Sequence, residues 1–170
     1  MCGFFLKFAH CFFVWTFRKS FIMLKIGDRA PEFSGTDQDG NVISLSDFAG
    51  RKLVLYFYPK DNTPGCTAEA CDLRDNYQRF LAAGYAVVGV SKDSAASHKK
   101  FIGKYSLPFP LISDPSAEIL QAYGAWGEKK NYGKVYMGTI RKTFVIDENG
   151  IITDIIGKVD TKAHTAQILG

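Results

Sequence analysis

Two cysteines five residues apart, Cys66 and Cys71 in the segment CTAEAC, are the residues whose type and spacing most readily do chemistry. Cys66 closes the stretch Pro59-Lys60-Asp61-Asn62-Thr63-Pro64-Gly65-Cys66. Thr63 suits a helix N-cap, and Pro64 suits the first helical position. Cys66 therefore falls in the first turn of a helix, among unpaired N–H groups that favour a thiolate. A free thiol is only about 3% ionised at neutral pH, and making it mostly thiolate takes about 2.7 kcal/mol. A helix terminus supplies roughly 0.3–1 kcal/mol and at most about 2 kcal/mol, so a cation is needed as well. Arg141, on the expected strand Thr139–Asp147 beside Thr143, is the candidate. On position alone, Cys66 reads equally as a small buried hydrophobe.

Cys71 shifts that balance, because an oxidised thiol needs a second thiol to resolve it. In an intact helix, about 7.5 Å of rise and about 500° of rotation separate the two positions, placing their Cα atoms roughly 8.6 Å apart. A disulfide requires less than about 7 Å. The pair can bond only if the first turns of the helix unwind, which predicts a segment that is folded when reduced and locally unfolded when oxidised.

The elements that must hold this site read as one α/β domain. Asp39-Gly40-Asn41 between Phe33–Thr36 and Val42–Leu45 is a hairpin signature. Lys52–Tyr58 (KLVLYFY) and Tyr85–Val90 (YAVVGV) are continuous apolar runs, expected as strands buried on both faces. Helices are expected from Cys66 to about Leu81, over Ser94–Tyr105, over Pro115–Tyr123 with Asp114 as N-cap, and over Thr161–Leu169. A short strand is expected in Leu107–Ile112, and a hairpin pairs Thr139–Asp147 with Ile151–Gly157. Alternating strands and helices imply a partly parallel sheet covered by helices, and Cys66 sits at a strand-to-helix junction where such sheets build sites.

Residues 1–22 stand apart from residues 23–170. Seven of the 14 Phe lie in 4–21, and Lys7, Arg18 and Lys19 supply three of the four net positive charges. The uncharged run Phe8–Phe17 is ten residues, against about 20 for a membrane span. Lys7 and this run suit a signal peptide, but Arg18-Lys19 and the lack of a small-residue cleavage site do not. The segment is read as an extension outside the fold, from an upstream start with Met23 as the natural one; the alternatives are a targeting or membrane-surface role and a packed structural role. No stable membrane insertion is expected, and the nearly neutral remainder excludes a nucleic-acid footprint. Four cysteines are too few for a disulfide-stapled secreted scaffold, which points to a reducing compartment, the cytoplasm. Cys2 and Cys11 read as incidental, and the Cys66/Cys71 spacing does not match short zinc knuckles.

Pro59-x-x-x-Thr63-x-x-Cys66 resembles the peroxiredoxin active-site pattern in all three fixed positions. Cys71 within CTAEAC, the segment Trp126–Asp147 and KIGDRAPEF near Met23 resemble the bacterioferritin comigratory protein or peroxiredoxin Q subfamily, over about Met23 to Ile168. The resemblance implies a thioredoxin-like fold with an N-terminal β-hairpin. It implies that Cys66 is the peroxidatic thiolate and Cys71 the resolving thiol. Thr63 would orient peroxide, Pro59 would shield the pocket, Arg141 would stabilise thiolate and leaving oxygen, and Glu69 would hold Arg141. The implied activity is reduction of hydrogen peroxide and alkyl hydroperoxides in antioxidant defence, through a Cys66 sulfenic acid and a Cys66–Cys71 disulfide. Thioredoxin would recycle it, with glutaredoxin as the alternative reductant. The implied state is a monomer without metal, haem or flavin.

Two other functions share parts of this signature. A thioredoxin-type oxidoreductase would carry Cys-x-x-Cys at the junction, but Thr63 occupies the first of those positions. A redox sensor would use the same thiol switch to alter a partner surface. Phe57 and Tyr58 are expected in the core, His98 with its lysines on a solvated helix face, and Lys129-Lys130 in a solvated loop. Trp126 either lines the pocket or packs its loop.

Overall fold

The computed structural model describes residues 23–170; the extension over 1–22 lies outside the described residues. A seven-stranded sheet runs in the order β2-β1-β5-β4-β3-β8-β9, from β1 (Ser34–Thr36), β2 (Val42–Ser44), β3 (Lys52–Phe57), β4 (Tyr85–Ser91), β5 (Leu111–Ser113), β8 (Lys142–Ile146) and β9 (Ile152–Ile156). A separate hairpin pairs β6 (Trp126–Asn131) with β7 (Lys134–Thr139). The helices are α1 (Pro64–Asp75), α2 (Tyr77–Ala82), α3 (Ala95–Tyr105), α4 (Glu118–Ala122) and α5 (His164–Leu169). β3, β4 and β5 are parallel; β8 and β9 add antiparallel strands beyond β3, and β1 and β2 beyond β5. This is the mixed, helix-flanked sheet that the alternation of elements predicts, with its N-terminal hairpin.

β3 shows why the apolar runs become central strands. Successive side chains point to opposite faces. Leu53, Leu55 and Phe57 enter one core with Val88, Ile112, Leu120, Tyr123 and Phe144. Val54, Tyr56 and Tyr58 enter a second core with Cys66, Ala70, Leu73, Phe80 and Phe101. Because both faces are covered, the strand reads as unbroken apolar sequence. Phe57 and Tyr58 are fully buried, as expected.

Four local expectations are corrected. The helix expected from Cys66 to Leu81 breaks at Asn76 (φ −105°, ψ 11°), whose backbone N–H and side-chain amide both donate to the Asp72 carbonyl. The helix after Asp114 begins at Glu118 rather than Pro115; the Asp114 carboxylate still accepts from the Glu118 and Leu120 amides. Lys129 and Lys130 lie in β6 rather than a loop, and Lys129 Nζ donates to the Thr139 carbonyl at 3.0 Å. The turn of that hairpin is Tyr132-Gly133, both in the left-handed region (φ 47° and 77°), the conformation of tight hairpin turns. Trp126 packs against the first core, with Lys92 Nζ 4.5 Å above its ring.

The fourth correction is His98, expected on a solvated face but fully buried. Its Nδ1 donates to Asp61 Oδ2 at 2.8 Å and its Nε2 to the Ile112 carbonyl at 3.2 Å. Both ring nitrogens thus face oxygen atoms, and the ring is held from two sides. Asp61 also accepts from the Tyr58 hydroxyl at 2.7 Å and from Ser97 Oγ at 2.7 Å, and its own N–H donates to Asp93 at 2.9 Å. Burial raises the Asp61 carboxyl, but bonds from His98 and Tyr58 outweigh it and leave the group below the usual carboxylate range. This network holds the segment after β3 onto β4, α3 and β5, and it braces Asn62 in the left-handed region (φ 58°). The lysines mask His98 in sequence, because a helix presents buried and solvated positions one residue apart.

No helix among the described residues is long and apolar enough to cross a membrane. His98→Ala strands the Asp61 carboxylate in the core and is expected to cost about 3–5 kcal/mol of stability in urea unfolding. A loss below about 1 kcal/mol would show that the pair does not hold the loop.

Candidate active site

The segment 59–66 carries the chain from the end of β3 into α1. Pro59 is half-buried directly after the strand. Thr63 occupies the N-cap position with extended backbone (φ −83°, ψ 152°), and its carbonyl accepts from the Thr67 N–H at 2.8 Å. Its hydroxyl does not cap the helix, as the sequence suggests it should. It donates instead to the Lys60 carbonyl at 2.8 Å, leaving the Thr63 oxygen lone pairs directed elsewhere. Pro64 and Gly65 follow, so Cys66 is the third helical residue, with N–H groups around it that have no acceptor within the helix.

Cys66 is 2% exposed and Cys71 is partly exposed; both are free thiols within the unbroken α1. A five-residue helical separation keeps their Cα atoms at roughly 8.6 Å, too far for a disulfide.

Arg141 lies between β7 and β8, one residue before β8, and reaches across to α1. Nη2 donates to Cys66 Sγ at 3.1 Å, and Nη1 donates to Glu69 Oε2 in a close ion pair. Gly65 eases this approach: a Cβ there would stand 3.3 Å from Nη2, a tight contact that the guanidinium would have to shift slightly to relieve. The sequence brings Pro59, Thr63, Cys66 and Glu69 together by local spacing. Arg141 joins them through the pairing of β8 with β3, in which Thr143 lies opposite Tyr56.

Glu69 is fully buried on the inner side of α1. Burial drives its carboxyl up to about 7, against the opposing pull of Arg141. Burial of Arg141 disfavours its charge, but Glu69 and Cys66 more than offset that and hold the guanidinium above its usual range. Behind Glu69 stands His164 of α5, with Nε2 at 3.6 Å from Glu69 Oε1. Burial pushes His164 down, towards the neutral ring. Its Nδ1 bonds to Gln167 Oε1 at 3.0 Å and its Nε2 to Thr143 Oγ1 at 2.8 Å. With Nδ1 donating and Nε2 accepting from Thr143, no proton is left for Glu69, so the 3.6 Å approach is proximity and not an ion pair. Glu69 Oε1 and the Tyr56 hydroxyl accordingly lack hydrogen-bond partners.

His164, Thr143, Tyr56 and Asp72 thus back the site, Asp72 by accepting from the Thr165 N–H of α5 at 2.7 Å; of the four, the sequence names only Thr143, as the neighbour of Arg141. Thr143 was discoverable two residues after Arg141 on an alternating strand; nothing in the local pattern marks His164. A cavity of about 230 Å³ lined by Arg29, Leu45, Arg51 and Asp147 lies at the start of β3, the opposite end of the sheet from Cys66.

The arrangement can polarise a sulfur and stabilise negative charge beside it, using a guanidinium and helix N–H groups. Residues 26–155 match the AhpC/TSA family. The chain is 44% identical over 147 residues to a putative peroxiredoxin Bcp of Coxiella burnetii, covering 86% of this chain and 97% of that protein. It is also 44% identical to peroxiredoxin Bcp of Bacillus subtilis over 146 residues, covering 86% and 93% respectively. Among solved structures, peroxiredoxin Q of Xanthomonas campestris matches with a TM-score of 0.77 at 37% identity, over 81% of this chain and 87% of that one. PrxQ of Xylella fastidiosa matches with a TM-score of 0.81 at 33% identity, over 86% and 93%. The family match, the shared fold and this degree of identity across most of the chain lead to one conclusion: the chain belongs to the AhpC/TSA family of peroxiredoxins, alongside the Bcp and peroxiredoxin Q proteins.

Proposed function

We propose that the chain is a two-cysteine thiol peroxidase in which Cys66 attacks peroxide and Cys71 resolves the product. The observation that carries this reading is Arg141, which donates to Cys66 Sγ and is held there by buried Glu69. Cys66 thiolate attacks one peroxide oxygen, the O–O bond breaks, and the second oxygen leaves as hydroxide or alkoxide and takes up a proton. Sulfur is oxidised by two electrons and becomes a sulfenic acid. Arg141 and the amides of the first turn of α1 stabilise the charge as it moves from sulfur to the leaving oxygen. Because the Thr63 proton is engaged by Lys60, the Thr63 oxygen is free to accept a hydrogen bond from the peroxide O–H and orient it. Half-buried Pro59 limits water at the mouth of the site.

Cys71 then condenses with the sulfenic acid to give the Cys66–Cys71 disulfide and one water. This step requires α1 to unwind. A dithiol protein restores both thiols by exchange, and thioredoxin is the reductant we assign. Hydrogen peroxide and alkyl hydroperoxides are the substrates; a structural study of the bacterioferritin comigratory protein of Xanthomonas campestris addresses its alkyl peroxide reduction. The chain acts as a monomer in the cytoplasm.

The deciding assay is peroxide consumption with thioredoxin, thioredoxin reductase and NADPH. Cys66→Ser is expected to abolish turnover. Cys71→Ser is expected to react once and stop at the sulfenic acid, detectable by a sulfenic-acid-specific reagent. Turnover by Cys66→Ser at the wild-type rate would make Cys66 a structural thiol.

A second outcome follows from Glu69. Its folded-state value, about 7, lies above the ordinary value of 4.5. The unfolded carboxyl therefore ionises first, and wild type loses stability as pH rises through that window and no further above it. Glu69→Gln removes the linkage. Unfolding measured from about pH 4.5 to about pH 7.5 is expected to show wild type losing about 3 kcal/mol relative to the variant. Parallel curves would mean that Glu69 is ionised throughout and serves Arg141 as a permanent counter-ion.

A further inference from the structure

The peptide bond between Lys60 and Asp61 is gripped at both ends. Its carbonyl accepts from the Thr63 hydroxyl at 2.8 Å. Its N–H, on the opposite edge of the same plane, donates to Asp93 Oδ2 at 2.9 Å. Asp93 lies between β4 and α3 and is itself fixed to the sheet. Ser91 Oγ donates to the same Oδ2 at 2.7 Å and accepts from the Asp93 N–H at 3.1 Å. Ser113 Oγ donates to the Asp93 carbonyl at 2.6 Å. Ser91 ends β4 and Ser113 ends β5, so the frame behind the grip is the end of two parallel strands.

A planar peptide transmits that grip. Its atoms turn together, so the direction of the Asp61 N–H fixes the direction of the Lys60 carbonyl. The carbonyl in turn decides what Thr63 does. A threonine at an N-cap ordinarily accepts from the N–H of the second or third helical residue, here Gly65 or Cys66. Thr63 makes no such bond, and its hydroxyl goes to Lys60 instead. Capping would occupy the oxygen that orients peroxide. It would also engage an amide of the first turn, where charge on the leaving oxygen develops. The carboxylate bonds of Asp61 to Tyr58, Ser97 and His98 fix where that side chain lies. They do not fix how the peptide before it is turned; the bond on the plane from outside the loop is that of Asp93.

We propose that Asp93 is a positioning residue for peroxide reduction: by holding the Lys60–Asp61 peptide, it keeps the Thr63 hydroxyl turned away from α1 and its oxygen open to the peroxide O–H. This rests on the roles given above to Cys66 and Thr63. Asp93 acts through Thr63 and leaves the polarisation of the sulfur to Arg141 and the helix amides. Its loss therefore slows the reaction with peroxide, which uses Thr63. It spares the reaction of the same sulfur with an alkylating agent, which does not.

The test is single-turnover kinetics on the reduced protein, with hydrogen peroxide and, separately, with iodoacetamide, modification of Cys66 being read by mass spectrometry. The proteins compared are wild type, Asp93→Ala, Asp93→Asn, Thr63→Val and the double variant Thr63→Val with Asp93→Ala. Asp93→Ala is expected to react with peroxide about tenfold more slowly, the factor carried by one lost hydrogen bond, and to be alkylated at the wild-type rate. Asp93→Asn keeps an acceptor oxygen for the Asp61 N–H and is expected to recover most of the peroxide rate. In the Thr63→Val background, removing Asp93 is expected to cost nothing further, because the two residues act in series. An unchanged peroxide rate in Asp93→Ala, an equal fall in both reactions, or additive losses in the double variant overturns the positioning role while leaving the Cys66 assignment intact. Failure of wild-type Cys66 to react with peroxide overturns that assignment and the positioning role together. Hydrogen exchange on wild type needs no variant: the Asp61 amide is expected to be protected, and exchange at the rate of an unstructured amide overturns the grip.

Discussion

A guanidinium half-buried in a protein must have its charge met, and Arg141 meets it twice, at the sulfur of Cys66 and at the carboxylate of Glu69. Most of the architecture around α1 can be understood as making that contact possible. β8 must lie antiparallel to β3 to bring Arg141 to the level of the β3–α1 junction. Gly65, without a side chain, lets the guanidinium lie close over the start of α1. Glu69 must be one helical turn beyond Cys66 to share the same cation. The cost of burying Glu69 appears in its raised carboxyl value, and His164, neutral and committed to Thr143 and Gln167, does nothing to relieve it. Among the described residues, Arg141 is the one lysine or arginine paired with Glu69, so the cation stays between that carboxylate and the sulfur.

Much of this was legible in the sequence, and for physical reasons. β3 and β4 are central strands, and burial on both faces leaves a continuous apolar run that few other structures produce. The start of α1 was legible because a threonine–proline pair punctuates the chain strongly. The separation of Cys66 and Cys71 followed from helix geometry alone. The side-chain role of Thr63 did not: capping is the usual use of a hydroxyl at that position, but the Lys60 carbonyl lies closer to hand.

What remained hidden depends on long-range contact. His98 sits between serine and lysines, and no local pattern distinguishes a buried position on an amphipathic helix when its neighbours are polar. Its partner Asp61 is 37 residues away. His164 and Asp72 are equally silent, since each is an ordinary polar residue until α5 folds back on α1. The β6–β7 hairpin was obscured for the opposite reason. It is largely solvent-exposed, so no alternation of apolar residues announces it, and the tight turn at Tyr132-Gly133 is its main signature.

On the proposed mechanism α1 unwinds and re-forms in every cycle, and the anchoring of the Pro59–Thr63 segment bears on how it does so. Starting a helix is the slow part, because several residues must be fixed before the first hydrogen bond is gained, whereas adding residues to an existing turn is easy. Asp61 is tied to His98, Tyr58, Ser97 and Asp93, none of which belongs to α1. Pro64 has its φ angle preset by its ring. The template for the first turn therefore stays in place whatever happens between Cys66 and Cys71. Rewinding is elongation from a standing nucleus, and the enzyme does not have to search for its active conformation anew.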